Sequence, residues 1–242
     1  CREALTADKI DIFTTSVTGR RKKLLLADMD STIVAEETLD ELAAYAGIKD
    51  EIAAITKQAM EGHLDFHQAL RQRVGLLKDL EAAKLQETLD ATMINPGARA
   101  LVATMRAGGA HCVLVSGGFT FFTGAIAAEI GFHHNHGNQL EIENERLTGK
   151  VIDPIQDKHS KLEFLKQYSA DIGIETDAAM TIGDGANDLP MLKAAGLGVG
   201  YHPKPLLIEE LYNIVLHGDL SAPLYAQGYT EEDITSALSQ TP

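Results

Sequence analysis

Two aspartates separated by one residue follow a short apolar run near the start of the chain. The run Leu24–Ala27 predicts a buried strand, and Asp28 and Asp30 come directly after it. Side chains alternate along an extended chain, so both carboxylates are expected on the same side. Two neighbouring acids at the end of a buried strand are costly unless a cation or a shared proton relieves them. The pattern therefore predicts a catalytic site with a carboxylate nucleophile, a second carboxylate that carries a proton, and a divalent metal between them.

Three later motifs place polar groups where they could meet these acids. Ser116-Gly117-Gly118 follows a predicted strand over residues 111–115, and the motif Gly-Asp-Gly-Ala-Asn-Asp at residues 183–188 follows one over residues 178–182. Lys158 precedes a predicted helix over residues 159–168. In an open parallel sheet, ligands bind at the carboxyl ends of the strands, so the first two motifs are expected at one edge.

The four motifs together, in this order and spacing, resemble the signature of the haloacid-dehalogenase-like phosphatases, in particular of their phosphoserine phosphatase family. The similarity runs from about Lys23 to about Leu216. It implies Mg²⁺-dependent hydrolysis of O-phospho-L-serine to L-serine and phosphate through an aspartyl-phosphate, the last step of L-serine biosynthesis. A close alternative keeps the mechanism and changes the substrate to another small phosphorylated amino acid or alcohol, such as phosphohomoserine, or transfers the phosphoryl group to another alcohol.

The acids receive distinct roles. Asp28 is the expected nucleophile, because a carboxylate is already ionised at neutral pH. Asp30 is the expected general acid and then base, for which a raised pKa would suit both steps. Asp184 is assigned to Mg²⁺ together with the Asp28 carboxylate and the Asp30 backbone carbonyl, since all-oxygen ligation suits this ion. Asp188 is either an outer-shell acceptor or an ordinary acid at a helix start.

Phosphate binding is expected from Ser116, Gly117 and one lysine. A hydroxyl and backbone N–H groups at a strand-to-helix junction suit phosphate oxygens. A charge count of two ionised aspartates, a dianionic phosphate and Mg²⁺ still leaves two negative charges, so a further cation is needed. The resemblance to the family's helix pattern favours Lys158 for this role, and Lys161 stays open as the alternative.

The resemblance also implies which residues select the substrate. Glu37 is expected to pair with the ammonium of phosphoserine, and Arg73 to hold its carboxylate in a fork. Asn187 is expected to contact substrate or phosphate, with helix capping as the alternative.

The order of predicted elements indicates a doubly wound α/β fold with a mostly parallel sheet. Residues 22–36 and 91–242 form the predicted catalytic core, and residues 37–90 form an inserted cap of four helices that could exclude water. Residues 1–21 are interpreted as a leader or the remnant of an upstream segment, and their basic end at Arg20–Lys23 as a solvated charge run.

Composition limits the classes of partner. The net charge of −14 over 242 residues argues against nucleic acid or an anionic membrane as partner, and favours a small phosphomonoester. No apolar stretch approaches the ~20 residues of a membrane span, and no secretory signal is recognisable, so a cytoplasmic location is expected. Cys1 and Cys112 are too few for a disulfide framework. Oligomeric state is not predicted.

Two further interpretations fit single features of the sequence. A phosphoacceptor signalling domain would also use an aspartate at a strand end, but such domains are about half this length and lack the inserted helices. His133, His134 and His136 could suggest zinc, but they have neither a nearby cysteine nor a helical i, i+4 pair, so a solvated loop is favoured.

Overall fold

The computed structural model describes residues 8–60 and 63–240, without the side chains of residues 59, 60 and 158. A seven-stranded sheet has the order β4-β3-β2-β1-β5-β6-β7, and every neighbouring pair is parallel except the antiparallel β3 and β4. The strands are β1 Leu24–Ala27, β2 His111–Phe119, β3 His134–Glu143, β4 Arg146–Ile152, β5 Ala179–Gly183, β6 Leu197–Tyr201 and β7 Ile214–Val215. The predicted doubly wound α/β fold is confirmed.

Strand β1 lies at the centre of the sheet. Its side chains alternate between two cores, with Leu25 and Ala27 in one and Leu24 and Leu26 in the other. Both faces of the strand are thus covered by helices, which explains its uninterrupted apolar sequence. The chain leaves β1 toward β2 on one side and returns to β5 on the other, so a topological switch point lies at the carboxyl ends of β1 and β5.

The four helices predicted between the first two strands are present. They are α1 Thr38–Ala46, α2 Lys49–Met60, α3 Phe66–Gly75 and α4 Ala83–Ala91. Gly47 ends α1 with a φ of 69°, a conformation that glycine adopts without a steric penalty. Asp65 starts α3 as an N-cap whose carboxylate accepts from the Gln68 N–H.

The remaining helices cover the sheet. They are α5 Ala98–Ala107, α6 Thr120–Ile130, α7 Lys158–Asp171, α8 Leu189–Ala194, α9 Pro205–Glu210, α10 Ala222–Ala226 and α11 Glu231–Ser239. The helix predicted over residues 159–168 corresponds to α7, which begins one residue earlier and ends three residues later, whereas α9, α10 and α11 were not predicted. Among the described residues, none of the helices combines the length and the apolar character needed to cross a membrane.

Part of the interpretation of the N-terminal segment is wrong. The basic run is exposed at Arg20, Arg21 and Lys23, as expected, but Lys22 is buried and donates to the Asp177 carbonyl oxygen at 2.7 Å. Arg20 donates to the Ala226 carbonyl oxygen at 2.7 Å. Further upstream, the Asp11 carboxylate accepts from the Gly218 N–H at 2.8 Å. Residues 8–21 therefore lie against the C-terminal part of the core. Residues 1–7 lie outside the described residues.

Strands β3 and β4 form a hairpin, with Glu143 paired to Arg146. The solvated loop predicted for the histidines is wrong for His134 and His136, because β3 begins at His134 and pairs with β2 through both residues. The ring of His136 stacks on Phe164 with centroids 3.9 Å apart. Within the part of the chain that the structure describes, no metal-binding group includes a histidine.

Candidate active site

Three carboxylates converge at the switch point. Asp28 follows β1, while Asp184 and Asp188 belong to the turn between β5 and α8. One oxygen of each lies within 4.8 Å of the others, and all three residues are buried. The neighbouring strands fix this proximity, because the Asp28 N–H donates to the Ile182 carbonyl oxygen of β5 at 3.0 Å. The motif at residues 183–188 therefore meets Asp28 at the carboxyl ends of β1 and β5.

A lysine ammonium balances this cluster. Lys161 Nζ lies 2.7 Å from Asp28 Oδ1 and 2.6 Å from Asp188 Oδ1, and the lysine is 2 % exposed. Asp157 starts α7 as its N-cap and so fixes the position of the first turn, which carries this lysine. The structure thus brings the alternative lysine to the acids, whereas the side chain of the favoured Lys158 lies outside the described residues.

Burial and charge act in opposite directions on the buried pair. Burial raises the pKa of Asp28, and the Asp188 carboxylate raises it further, while the Lys161 ammonium lowers it. Burial alone would lower the pKa of Lys161, but Asp188 and Asp28 raise it above its ordinary value. A buried ammonium between two carboxylates stays protonated, so this lysine is a permanent positive charge at the site.

Asp188 organises the turn that holds Asp184. Its Oδ2 accepts from the N–H of Gly185 at 3.0 Å and of Asp184 at 3.2 Å. A Cβ atom at Gly183 would lie 2.5 Å from this carboxylate, so the turn needs glycine there. Asp188 is fully buried, which distinguishes it from an ordinary solvated acid at a helix start.

Asp30 is held by donors on two sides. Its Oδ1 accepts from the Thr38 N–H at 2.8 Å and from the Thr38 hydroxyl at 2.7 Å, and its Oδ2 accepts from the Ser116 hydroxyl at 2.9 Å. Burial raises the pKa of Asp30, and the Glu37 carboxylate raises it further, while the Thr38 and Ser116 hydrogen bonds oppose the shift. A raised pKa is the property expected of a group that donates and then accepts a proton near neutral pH.

The Ser-Gly-Gly motif occupies an irregularity in β2. Val115 pairs with His136, whereas Phe119 pairs with Asn138, so the intervening residues bulge out of the ladder. The predicted strand ended at Val115 because the pattern could not show that pairing resumes at Phe119. The bulge presents Ser116 and Gly117 to the cavity described below.

Asn138 is a residue of this region that sequence reasoning missed. Its side-chain amide donates to the Gly117 carbonyl oxygen at 2.7 Å, and its oxygen accepts from the Gln156 N–H at 2.7 Å. It is fully buried, and it links the bulge of β2 to the segment that leads into α7. No motif marked it, because it lies within the alternating pattern of a strand.

A cavity of about 950 Å³ opens between the sheet edge and helices α1 and α3. The predicted site residues Asp28, Asp30, Glu37, Arg73, Ser116, Gly117, Asp184 and Asn187 all line it. The ring of Phe66 faces Gly117 closely, since a Cβ atom there would lie 3.5 Å from the ring. The Glu37 carboxylate is 49 % exposed and accepts from the Ser31 hydroxyl at 2.9 Å, so it remains accessible to a bound molecule.

Lys204 is a second cation that the sequence analysis did not find. Its ammonium lies 3.0 Å from Asp184 Oδ2 and 3.7 Å from Glu37 Oε1. It follows β6, whose carboxyl end lies at the same edge as those of β1 and β5. The rule that strand ends meet at one edge could therefore have identified it.

The donor set fits a hard divalent cation. All three carboxylates of the cluster offer oxygen, and no sulfur or imidazole belongs to the group. Asp188 has donors on both oxygens, Lys161 on Oδ1 and backbone N–H groups on Oδ2, whereas Lys161 contacts one oxygen of Asp28 and Lys204 one oxygen of Asp184, so Asp28 and Asp184 are the better placed ligands. Clustered carboxylates beside a buried ammonium, an oxygen-only donor set for a cation and a carboxyl group with a raised pKa can together serve phosphoryl transfer.

Comparison with known proteins agrees with this geometry. Residues 25–193 match the haloacid dehalogenase-like hydrolase family. The chain is 43 % identical to a phosphoserine phosphatase of a Polaromonas species over 204 residues, covering 82 % of this chain and 86 % of that protein. It is 40 % identical to the phosphoserine phosphatase of Streptomyces coelicolor over 218 residues, or 90 % of this chain, but spans only 53 % of that protein.

A solved structure described as a phospho-aspartyl intermediate analogue of phosphoserine phosphatase superposes with a TM-score of 0.78 at 37 % identity. The match covers 85 % of this chain and 98 % of that one. The chain therefore belongs to the haloacid dehalogenase-like hydrolase family.

Proposed function

We propose that this chain is a phosphoserine phosphatase that hydrolyses O-phospho-L-serine to L-serine and phosphate through a phosphorylated Asp28. The observation that carries the proposal is the buried contact of Asp28 with Lys161 at 2.7 Å, beside Asp184 and in the same cavity as Asp30. The names of the relatives, and the intermediate analogue of one of them, support the same chemistry.

In the first half of the reaction, an oxygen of Asp28 attacks phosphorus and the ester bond to the serine oxygen breaks. Lys161 provides positive charge beside the nucleophile, where the phosphate oxygens must come close. We assign the phosphate-cation role to Lys161 in place of Lys158, because the Lys161 ammonium lies 2.7 Å from the Asp28 carboxylate. Ser116 and the backbone of Gly117 complete the proposed phosphate site.

Mg²⁺ held by Asp28, Asp184 and the Asp30 backbone carbonyl would supply further positive charge against the phosphate oxygens. In the same half-reaction, Asp30 gives a proton to the serine oxygen as it leaves. In the second half, Asp30 takes a proton from the water that attacks the phosphorylated Asp28, which regenerates both carboxyl groups. Asp188 holds Lys161 and the turn carrying Asp184 throughout.

Selection of phosphoserine is assigned to the helices inserted between β1 and β2. We propose that these residues, 37–90, form a cap over the cavity. Glu37 lies at the cavity wall beside Asp30 and pairs with the substrate ammonium, and Arg73 holds the substrate carboxylate. Asn187 lines the same cavity and contacts the phosphate or the serine moiety. We place the reaction in the cytoplasm, with the small phosphomonoester as the partner.

A substrate panel tests the proposal. Phosphate release is measured for phosphoserine, phosphohomoserine, phosphoethanolamine and p-nitrophenyl phosphate, with Mg²⁺ and with a chelator. We expect the highest kcat/KM for phosphoserine, its loss on chelation, and no turnover by Asp28→Asn. A higher value for phosphohomoserine would move the assignment to that substrate. Similar values for all four compounds would contradict the roles of Glu37 and Arg73, and turnover by Asp28→Asn would remove Asp28 as nucleophile.

A further inference from the structure

The two oxygens of Asp30 have different surroundings. Oδ1 accepts two hydrogen bonds from one residue, the N–H of Thr38 at 2.8 Å and its hydroxyl at 2.7 Å. Oδ2 accepts only from the Ser116 hydroxyl, at 2.9 Å, among the described residues. Each carboxylate oxygen offers two lone-pair sites, so Oδ1 is fully used and Oδ2 is not.

One of the two donors on Oδ1, the Thr38 N–H, cannot become an acceptor. Thr38 is the first residue of α1, and its N–H has no partner inside the helix. An amide N–H only donates and this one is fixed by its helix, so a proton on Oδ1 would take one of the two lone-pair sites and displace the Thr38 hydroxyl bond, whereas Oδ2 has a site free for the proton. Thr38 is 1 % exposed, so water does not replace the lost partner.

Oδ2 lies on the side where the phosphate is proposed to bind. A Cβ atom at Gly118 would be 2.8 Å from this oxygen, so only the absence of a side chain there makes room for it. The hydroxyl of Ser116 can rotate toward a phosphate oxygen and release Oδ2, whereas the Thr38 amide on Oδ1 is fixed by its helix. The asymmetry thus places a free lone pair of Asp30 next to the reacting group.

From these contacts we infer that Thr38 is a positioning residue, which holds Oδ1 so that Oδ2 carries the proton delivered to the leaving group. This inference rests on the proposed phosphatase function. As Asp28 bonds to phosphorus, the ester bond breaks and its electron pair stays on the leaving oxygen, which takes the proton from Oδ2. When water later attacks phosphorus, Oδ2 accepts its proton and Asp28 is released as a carboxylate. Because Thr38 begins the first inserted helix, it also links that helix directly to the acid.

The test compares leaving groups and avoids the amino-acid part of the substrate. Thr38→Val keeps the shape and the backbone N–H but removes the hydroxyl, and Thr38→Ser restores it. For each variant, kcat/KM is measured with p-nitrophenyl phosphate, whose leaving group needs no proton, and with phenyl phosphate and phosphoserine, whose leaving groups do. General acid catalysis is worth about 10²–10⁴-fold, and losing one of two positioning bonds should remove part of it.

We expect Thr38→Val to lower kcat/KM about 10-fold or more for phenyl phosphate and phosphoserine, and little for p-nitrophenyl phosphate, with recovery in Thr38→Ser. Equal losses on all three compounds would mean a structural role only. A loss confined to phosphoserine, with both aryl phosphates unchanged, would mean that Thr38 acts through the neighbouring Glu37. Either result, or no loss at all, overturns the inference.

Two further measurements keep the result interpretable. Circular dichroism and the thermal midpoint show whether Thr38→Val is folded, and Thr38→Ala is the second variant if it is not. Failure of the proposed function would give a different result from failure of this inference. The wild type would then not favour phosphoserine, but Thr38→Val would still lower kcat/KM more for phenyl phosphate than for p-nitrophenyl phosphate.

Discussion

The Lys161 ammonium lies 2.7 Å from the Asp28 carboxylate, and both groups are nearly excluded from solvent. A buried charge pair of this kind is costly to break, because the remaining partner keeps its desolvation penalty without its counter-charge. The contact comes from the packing of the first turn of α7 against the carboxyl end of β1. It ties the proposed nucleophile to the charge that would stabilise the transferred phosphoryl group.

Replacement of Lys161 by methionine should nearly abolish turnover. We expect kcat/KM for phosphoserine to fall about 10²–10³-fold, as for the loss of one stabilising group in a transition state. Stability should fall as well, by about 3–5 kcal/mol, since Asp28 and Asp188 lose their shared counter-charge. Steady-state kinetics and urea denaturation measure the two effects.

Lys158→Met is the matched control, since it removes a lysine from the start of the same helix. It should leave kcat/KM close to the wild-type value. If instead Lys158→Met were inactive while Lys161→Met kept its turnover, the charge role would belong to Lys158, as the sequence pattern favoured.

The choice between these lysines shows where sequence reasoning stops. A charge count predicts that a cation is needed, and the helix pattern limits the choice to two lysines three residues apart. Which of them meets Asp28 depends on how α7 sits against the sheet, and this depends on tertiary packing that no local pattern records. The acids themselves were predictable, because Asp28 and Asp184 each follow an apolar strand and strand ends meet at one edge.

The residues that the sequence did not reveal act through long-range contacts. Thr38 lies eight positions from Asp30, Asn138 lies 21 from Gly117, and Lys204 is brought to Asp184 by the return of β6 to the sheet. None of them stands in a motif of its own. The C-terminal helices were missed for a related reason, since short helices such as α9 and α10 show too few turns for periodicity to be informative.

Arg73→Ala should weaken selection of the substrate carboxylate. Charge-assisted hydrogen bonds contribute about 1.5–3 kcal/mol, so kcat/KM for phosphoserine should fall about 10–100-fold. Phosphoethanolamine has the ammonium but no carboxylate, and its kcat/KM should stay nearly constant. Measuring both substrates with both proteins isolates the interaction between Arg73 and the carboxylate.

Arg71→Ala controls for the loss of any arginine from α3. Arg71 is exposed and pairs with Asp153 at 2.6 Å, away from the lining of the cavity. Arg71→Ala should leave kcat/KM unchanged for both phosphoserine and phosphoethanolamine. Equal losses for phosphoserine and phosphoethanolamine in Arg73→Ala would place that arginine outside the carboxylate site.

Cys112 should be chemically inert in the folded protein. Its side chain is fully buried in β2, and burial raises the pKa of its thiol to about 12. An ordinary thiol with a pKa near 8.5 would be substantially ionised at pH 8.5 and would react with Ellman's reagent. In a Cys1→Ser background, which removes a thiol outside the described residues, we expect no reaction at pH 8.5 until guanidinium is added and one thiol afterwards. Rapid labelling of the native protein would show that β2 opens easily.

Mg²⁺ should stabilise the fold through Asp184, and more at neutral than at acidic pH. Burial raises the pKa of Asp28, Asp30 and Asp184 above their ordinary values. The folded state therefore binds more protons than the unfolded state, so stability contributed by these groups falls as pH rises from about 4 through the raised pKa values. A divalent cation offsets the cost of burying these carboxylates at a pH where they are ionised. At lower pH, protons compete with the cation for the same carboxylates.

The measurement is the thermal midpoint at pH 7.5 and pH 5 with increasing MgCl₂, against NaCl of equal ionic strength. At about 100 times Kd, ligand binding adds about 2.7 kcal/mol, which raises the midpoint by about 5–10 °C in a chain of this size. Asp184→Asn should raise the midpoint without Mg²⁺, since it removes one buried negative charge, and should lose most of the Mg²⁺ response. Asp171→Asn, at the exposed end of α7, should retain the full response. If the Mg²⁺-dependent rise of the midpoint were undiminished in Asp184→Asn, the cation would bind outside the buried cluster at the carboxyl ends of β1 and β5.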